Sequence, residues 1–466
     1  MSGCGKYNFE GVSQFVSARM MELGVPSVAI GVQVGRDIVY EAAFGLADVE
    51  AGVPATTRTP YSIASITKPM IATILAGFSE RGKVDLDAPV NDYLGGARLT
   101  AWIGDRGAAT FKRVANHTAG LPIYFQFFFA DELGRPPSDI ETIGRYGNIC
   151  RPPGTRYVYS NIGYGILGFA AETVAERPLT EVFRTDLFEP LGMKDAFFAP
   201  SFVDTPFYAV RYDKKKVRLP HYVTDHPAAS EAYCSVRDLL SFGAFHLGLS
   251  EATILTPSTR ASMQAPLGVG EADLGYGFGW FLGKPNDAIP IFGHSGGMDG
   301  VSTRLLIAPS METVIVVLCN SDSPIVSETV ARLHEALGIP TSQSPASEIS
   351  RDTPESALGK WSGAIHTYSG PIPIALEIEN RRIQVEVNGV PVESDASFED
   401  GDIRGTVATN LEVPDANRAP HSLLLDLSDY QGVLAGSATA RSDGATRIGH
   451  AISYPATLVL DGPPRL

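Results

Sequence analysis

Cysteine is scarce in this sequence. The four cysteines, Cys4, Cys150, Cys234 and Cys319, lie far apart and form no C-x-x-C pair. This spacing gives neither a disulfide framework nor a thiolate cluster for zinc, so we expect free thiols in a reducing compartment. The nine histidines also form no H-x-x-x-H or H-x-H group. We therefore expect no metal site, and nothing in the sequence calls for a cofactor.

Positive charge and long apolar runs are also missing. The chain has 37 Lys and Arg against 52 Asp and Glu, a net charge of -15. Nucleic acids and anionic membranes attract basic surfaces, so neither is an expected partner. No run reaches the ~18 apolar residues of a spanning helix, and residues 1–6 lack the apolar core of a signal peptide. We expect a cytoplasmic protein that acts on a small molecule or peptide, with homo-oligomerisation left open; a leader removed during maturation is the alternative.

The length and the periodicity of the chain predict two domains. A chain of 466 residues exceeds one compact core. Strand-like runs at both ends of the first part flank a mostly helical stretch, which predicts one sheet built from both ends. These runs are Ser27–Val34, Ile38–Phe44, Tyr276–Leu282, Thr303–Ile307 and Thr313–Leu318. We predict a first domain over residues 1–340, a linker rich in Ser, Pro and Thr over 341–356, and an all-β barrel over 357–466.

Ser65-Ile66-Thr67-Lys68 is the only Ser-x-x-Lys in the chain. Pro69 is tolerated only in a first helical turn, so the motif is predicted to begin a helix, with Lys68 one turn beyond Ser65 on the same face. An amine there can take the proton of the hydroxyl and turn a weak alcohol into a nucleophile. The alternative is an ordinary N-cap serine followed by a solvated lysine.

Tyr159-Ser160-Asn161 is the second candidate motif. A tyrosine near a lysine can relay protons, and an asparagine can hydrogen-bond a substrate amide through both of its polar atoms. Tyr146-Gly147-Asn148 matches the same pattern. A turn over residues 151–155 delivers Tyr159 to a helix entrance, whereas Tyr146 is predicted inside a helix. The alternative for Tyr159 is a buried tyrosine with a satisfied hydroxyl.

Gly293-His294-Ser295-Gly296-Gly297 is the third. Read as G-x-S-x-G it matches the nucleophile elbow of α/β-hydrolases, which would make Ser295 the nucleophile. That elbow needs a helix directly after the serine, and here two strands are predicted instead. The favoured interpretation is an edge strand whose glycines let a substrate backbone approach and pair, and an ordinary glycine-rich strand end without a binding role is the alternative.

Together these three motifs resemble the serine β-lactamase and penicillin-binding-protein superfamily, closest to its class C-like branch with esterases and D-aminopeptidases. The resemblance implies an α/β (α+β) β-lactamase-like fold: an antiparallel sheet flanked by helices, a helical subdomain and a C-terminal lipocalin-like barrel. It also implies a serine hydrolase or acyltransferase that forms an acyl-enzyme. The substrate would be an amide or peptide with a D-configured residue; a carboxylesterase and a catalytically silent binding or scaffold protein are the alternatives.

The resemblance also implies a role for each site residue. Ser65 would be acylated, with Lys68 and Tyr159 as its proton partners. The substrate would be bound by Asn161, His294, Ser295, Gly296 and Gly297. His294 stands where penicillin-binding proteins place a lysine that grips a carboxylate, so substrates without an obligatory carboxylate are favoured.

Two further regions bear on the substrate. Residues 123–129 contain five aromatic side chains and are interpreted as core or, alternatively, as an apolar wall for a bulky substrate. The C-terminal module is expected to narrow the entrance of the active site or to assemble oligomers, with an inert appendage as the alternative.

Overall fold

The computed structural model describes residues 7–132, 134–201, 206–267, 275–283, 289–340, 350–379, 382–442 and 449–461. Its helices are α1 (Phe9–Leu23), α2 (Thr67–Glu80), α3 (Phe111–Ala115), α4 (Asp139–Tyr146), α5 (Asn161–Ala175), α6 (Leu179–Phe183), α7 (Val236–Leu247), α8 (Pro257–Met263) and α9 (Ile325–Leu337). Its strands are β1 (Ser27–Val34), β2 (Asp37–Asp48), β3 (Val53–Pro54), β4 (Tyr61–Ser62), β5 (Thr100–Ala101), β6 (Phe125–Phe129), β7 (Asn148–Ile149), β8 (Phe197–Phe198), β9 (Tyr222–Thr224), β10 (Ala232–Cys234), β11 (Phe281–Leu282), β12 (Phe292–Met298), β13 (Val301–Ala308), β14 (Thr313–Cys319), β15 (Gly359–Thr367), β16 (Gly370–Glu379), β17 (Arg382–Val387), β18 (Val390–Val392), β19 (Ser397–Glu399), β20 (Asp402–Val407), β21 (His421–Asp429), β22 (Val433–Ser442) and β23 (His450–Leu460).

The chain forms two compact units. The first comprises Met1–Ala88, Phe128–Pro136 and Leu167–Gln343, and the second comprises Pro89–Phe127, Pro137–Ile166 and Ser344–Leu466. The first unit contains an antiparallel sheet in the order β11-β12-β13-β14-β1-β2-β3. Its central pair joins β1 to β14, from Val28 opposite Cys319 to Val34 opposite Thr313. A sheet built from both ends of the first part of the chain is therefore confirmed.

Helices cover both faces of this sheet. On one face, α1 and α9 bury side chains such as Val16 and Leu333 against Ile30 and Val317. On the other face α7 lies so close that a Cβ on Gly31 would stand 2.3 Å from a methyl of Val236. Because every residue of α2 from Thr67 to Phe78 is buried, packing fixes the position of the helix that follows Ser65.

The predicted strand Tyr276–Leu282 is wrong over most of its length. Only Phe281–Leu282 is a strand, and Tyr276 makes an isolated bridge to Phe281. The N–H groups of Gly277 and Gly279 donate within a tight turn, to Trp280 O at 2.8 Å and Gly277 O at 3.1 Å. Because these donors are used locally, the segment cannot continue a ladder.

The second unit contains an antiparallel sheet in the order β18-β17-β16-β15-β23-β22-β21-β20-β19. β18 and β19 are the two edges of this order, and no pairing joins them in the described part of the chain, so the sheet is an open half-barrel. Alternate residues of β21 are buried, among them Leu423, Leu425 and Leu427, which is the period of two expected for strands with one core face. The all-β character predicted for the C-terminal module is confirmed over the described residues.

Segments far from the C-terminus belong to the same unit. Phe125 and Gln126 of β6 pair with Ala451 and His450 of β23, and the Trp102 ring stacks on His366 with centroids 3.8 Å apart. The sequence did not anticipate this association. Residues 341–349 of the predicted linker lie outside the described residues, and the domain boundaries stay a prediction.

The structure also bears on the expectations for cysteines, membrane-spanning helices and metal sites. Cys150, Cys234 and Cys319 are buried free thiols. Across the described ranges, no helix combines the length and apolar character needed to cross a membrane. The same ranges bring together no group of three or more His, Cys, Asp or Glu side chains suited to a metal ion.

Candidate active site

Ser65 lies in a single 3-10 turn, Ala64–Ile66, that leads directly into α2. Neither the turn nor the helix has a side-chain cap, so the N-cap alternative for Ser65 does not hold. Hydrogen bonds from other elements fix the turn: Ile63 N–H donates to Ala232 O at 3.1 Å, and Thr303 Oγ1 donates to Ile63 O at 3.0 Å. Ala64 has φ 46°, a left-handed conformation that is costly for a residue with a Cβ and is held here by these contacts.

Lys68 is fully buried, which rules out the solvated-lysine alternative. Its Nζ lies 2.9 Å from Ser65 Oγ and donates to Ala229 O at 3.1 Å. Burial disfavours the charged amine and lowers the Lys68 pKa well below its usual value. A neutral amine that donates to Ala229 O keeps a lone pair for the proton of the Ser65 hydroxyl.

The predicted Gly293–Gly297 strand is confirmed as part of β12, so the motif has no elbow geometry. The predicted edge position is wrong for the start of the strand, because β11 pairs with Phe292 and Gly293. β12 packs directly against the turn that carries Ser65: a Cβ on Gly296 would stand 2.1 Å from Ile63 O and 2.2 Å from Thr303 Oγ1. Gly297, by contrast, has open space at its Cβ position. Ser295 pairs with Arg304, and strand alternation puts these two side chains on the face opposite His294 and Gly296.

His294 is a buried, neutral histidine. Its Nδ1 lies 2.7 Å from Ser295 O, and a carbonyl only accepts, so Nδ1 carries the hydrogen. Nε2 lies 3.0 Å from Tyr276 Oη and therefore accepts from that hydroxyl. Burial lowers the His294 pKa to about 3. This histidine supplies no positive charge at neutral pH.

Tyr159 and Asn161 belong to the second unit, where Asn161 begins α5. The segment is held by His117: the Val158 N–H donates to His117 O at 2.9 Å, and the Ser160 N–H donates to His117 Nδ1 at 3.0 Å. The ring centroids of His117 and Tyr159 are 4.4 Å apart. Asn161 Nδ2 donates to Tyr124 O at 2.9 Å.

The structure thus brings Ser65, Lys68, His294, Gly296 and Gly297 together in the first unit, and Tyr159 and Asn161 together in the second. The competing Tyr146 ends α4 and donates its hydroxyl to Asp415.

The sequence motifs assigned no role to Ala229, Tyr276 or His117. Only the carbonyl of Ala229 is used, which no side-chain pattern can reveal. Of the five aromatic residues at 123–129, Tyr124, Phe127, Phe128 and Phe129 are buried, which favours the core interpretation.

The family model described as Beta-lactamase matches residues 12–338. Penicillin-binding protein 4* of Bacillus subtilis is 23% identical over 382 residues, 76% of this chain and 82% of that protein. Protein flp of Staphylococcus aureus is 24% identical over 319 residues. That alignment covers 66% of this chain and 62% of flp, so the chain spans less than two thirds of this relative.

Solved structures share the fold along nearly the whole chain. The octameric penicillin-binding protein homologue from Pyrococcus abyssi superposes with a TM-score of 0.61 at 22% identity, covering 97% of this chain and 100% of that one. SurE superposes with a TM-score of 0.67 at 22% identity, covering 97% of this chain and 98% of that one. Because the family model matches residues 12–338, well over half of the sequence, this chain belongs to the beta-lactamase family.

Proposed function

We propose that this protein is a serine hydrolase that works through an acyl-enzyme on Ser65. The observation that carries the proposal is the 2.9 Å contact between Lys68 Nζ and Ser65 Oγ, made by an amine that burial keeps neutral. The lone pair of Lys68 takes the hydroxyl proton as Ser65 Oγ attacks a substrate carbonyl carbon.

The remaining residues complete the reaction. The backbone N–H groups of Ser65 and Gly297 stabilise the tetrahedral oxyanion, and one such donor typically contributes ~10²–10³ in kcat. Tyr159 is the second proton-transfer group and delivers a proton to the leaving amine or alcohol. Asn161 binds the substrate amide. Water then attacks the acyl-enzyme and releases an acid, or an amine attacks it and receives the acyl group.

The substrate we propose is an amide or peptide with a D-configured residue and no obligatory carboxylate near His294. The neutral state of His294 supports this choice, because a neutral imidazole does not hold a carboxylate as a permanent cation does. SurE has also been solved with D-Leu, and that structure gives a TM-score of 0.67 at 20% identity.

Substrate preference is tested by measuring turnover of paired D- and L-aminoacyl p-nitroanilides and of p-nitrophenyl acetate. We expect faster turnover of the D-configured amides. Equal rates for the enantiomers together with much faster ester cleavage would establish the carboxylesterase instead. If none of these substrates is turned over and no covalent label is taken up, the chain is a silent binding or scaffold protein.

We also propose that the protein self-associates. The Pyrococcus abyssi homologue, described as octameric, supports this proposal. Light scattering on the purified chain tests it, and a mass equal to the monomer at working concentration would contradict it.

A further inference from the structure

The turn that precedes Tyr159 carries two arginines, and both are bound by the C-terminal sheet. The Arg151 side chain is 4% exposed, and its Nη2 lies 2.6 Å from Asp426 Oδ1. The same nitrogen donates to Asp426 O at 3.1 Å, while Nη1 donates to Ser428 Oγ. Because the guanidinium is planar and has several fixed hydrogen-bond partners, these contacts hold it in a single orientation.

Arg156 makes the second attachment. Its Nη1 forms an ion pair with Asp402 Oδ2, and the Asp402 side chain is only 5% exposed. Ser428 Oγ donates to Asp402 Oδ1 and also accepts from Arg151, so it joins the two attachments. We call Arg151, Arg156, Asp402, Asp426 and Ser428 the arginine clamp.

The clamp is connected to Tyr159 by a short and well-bonded stretch of chain. Tyr159 follows Arg156 by three residues. The Gly154 N–H, which lies between the two arginines, donates to Thr118 O at 2.7 Å, and the Val158 N–H, between Arg156 and Tyr159, donates to His117 O at 2.9 Å. The segment that bears Tyr159 and Asn161 is therefore held on one side by the His117 turn and on the other by the C-terminal sheet.

We propose that the arginine clamp is a positioning device: through it, the C-terminal sheet sets the place of Tyr159 and Asn161 for proton transfer and amide binding. The inference rests on the proposed function of these two residues. It gives the C-terminal module a part in the reaction itself, beyond a gate or an assembly surface. Ion pairs exposed to water hold geometry weakly, whereas buried ones with fixed hydrogen bonds hold it strongly, because losing one partner leaves an uncompensated charge.

Arg156→Ala and Asp402→Asn test the clamp, and Arg145→Ala is the matched control. Arg145 also binds the C-terminal module, through Asp415 at 3.4 Å in the connection between β20 and β21, but Arg145 lies in α4 and not in the turn before Tyr159. All variants are assayed well below their Tm for kcat, KM and the pH profile of kcat/KM. A misplacement of about 1 Å can cost on the order of 10²-fold in rate.

We expect Arg156→Ala and Asp402→Asn each to lower kcat by about 10- to 100-fold with a smaller change in KM. Their double variant should lose no more than the worse single one, because both break the same contact. Arg156→Lys keeps the charge without the planar fork and should recover part of the loss. Arg145→Ala should stay within about threefold of the unmodified enzyme, as for a contact remote from the reacting groups.

The proposal is overturned if folded Arg156→Ala keeps its kcat, or if Arg145→Ala loses as much. If Arg156→Ala does not fold, Asp402→Asn decides alone: an unchanged kcat and pH profile in that variant would refute positioning. Tyr159→Phe separates this result from failure of the proposed function. If Tyr159→Phe is fully active while the clamp variants are impaired, the proposed role of Tyr159 is wrong and the clamp does not act through it.

Discussion

Gly296→Ala should uncouple β12 from the turn that carries Ser65. The new Cβ would stand 2.1 Å from Ile63 O and 2.2 Å from Thr303 Oγ1, whereas carbon atoms pack at about 3.5 Å or more. The strand and the turn must therefore separate by about 1 Å. Overpacking of this kind costs about 1–3 kcal/mol, and weakening the Thr303 bond to Ile63 O adds about 1 kcal/mol. The predicted loss in the free energy of unfolding is about 2–4 kcal/mol.

Gly297→Ala is the matched control, because its Cβ would enter open space. We expect its stability to stay within about 0.5 kcal/mol of the unmodified protein. Urea unfolding followed by tryptophan fluorescence measures both variants, and p-nitrophenyl ester turnover shows whether the displaced strand also impairs catalysis. A Gly296→Ala protein as stable and as active as Gly297→Ala would refute the packing argument.

Three further predictions concern titrating groups. Lys68 must be neutral to act as the base, and its pKa is well below the usual value. We therefore expect kcat/KM to rise with pH and level off, with the midpoint of the rise well below pH 10.5; a midpoint near 10.5 would contradict this role. Lys68→Met should lower kcat/KM by about 10²–10⁴-fold. His294→Gln should leave the shape of the pH–rate profile between about pH 5 and 8 unchanged, since the His294 pKa is about 3; disappearance of a limb near 6.5 in this variant would show that His294 titrates. Burial lowers the His246 pKa from its ordinary 6.5 to about 3, so below pH 6.5 the unfolded chain binds a proton that the folded protein does not. The free energy of unfolding should therefore fall by up to about 1.4 kcal/mol for each pH unit below 6.5. In urea unfolding, His246→Gln should lose less stability on acidification than the unmodified protein, and an equal loss would refute this.

Short motifs were predictable because their chemistry is local. Ser65 and Lys68 are one helical turn apart, and Pro69 fixed where that turn begins. Tyr159 was preferred to Tyr146 by its place before a helix. The motif in β12 was predicted as a strand and not a nucleophile elbow because strand patterns, and no helix, come directly after it. One sheet built from both ends of the first part of the chain followed from the strand patterns at those two ends.

The features that could not be predicted from the sequence are those that depend on contacts between segments far apart in the chain. Arg151 and Asp426 are 275 residues apart, and nothing local to either shows that they meet. The neutral state of His294 depends on Tyr276 and on its own burial. The strand predicted over Tyr276–Leu282 failed because turn hydrogen bonds took its donors, although its residue types favour strands.

The most direct test of the account is to find the residue that becomes acylated. The protein is incubated with a fluorophosphonate probe and with a slowly deacylating p-nitrophenyl ester, digested, and mapped by mass spectrometry, with Ser65→Ala and Ser295→Ala beside it. The account predicts one adduct on Ser65, kept in Ser295→Ala and lost in Ser65→Ala. An adduct on Ser295 that persists in Ser65→Ala would contradict it.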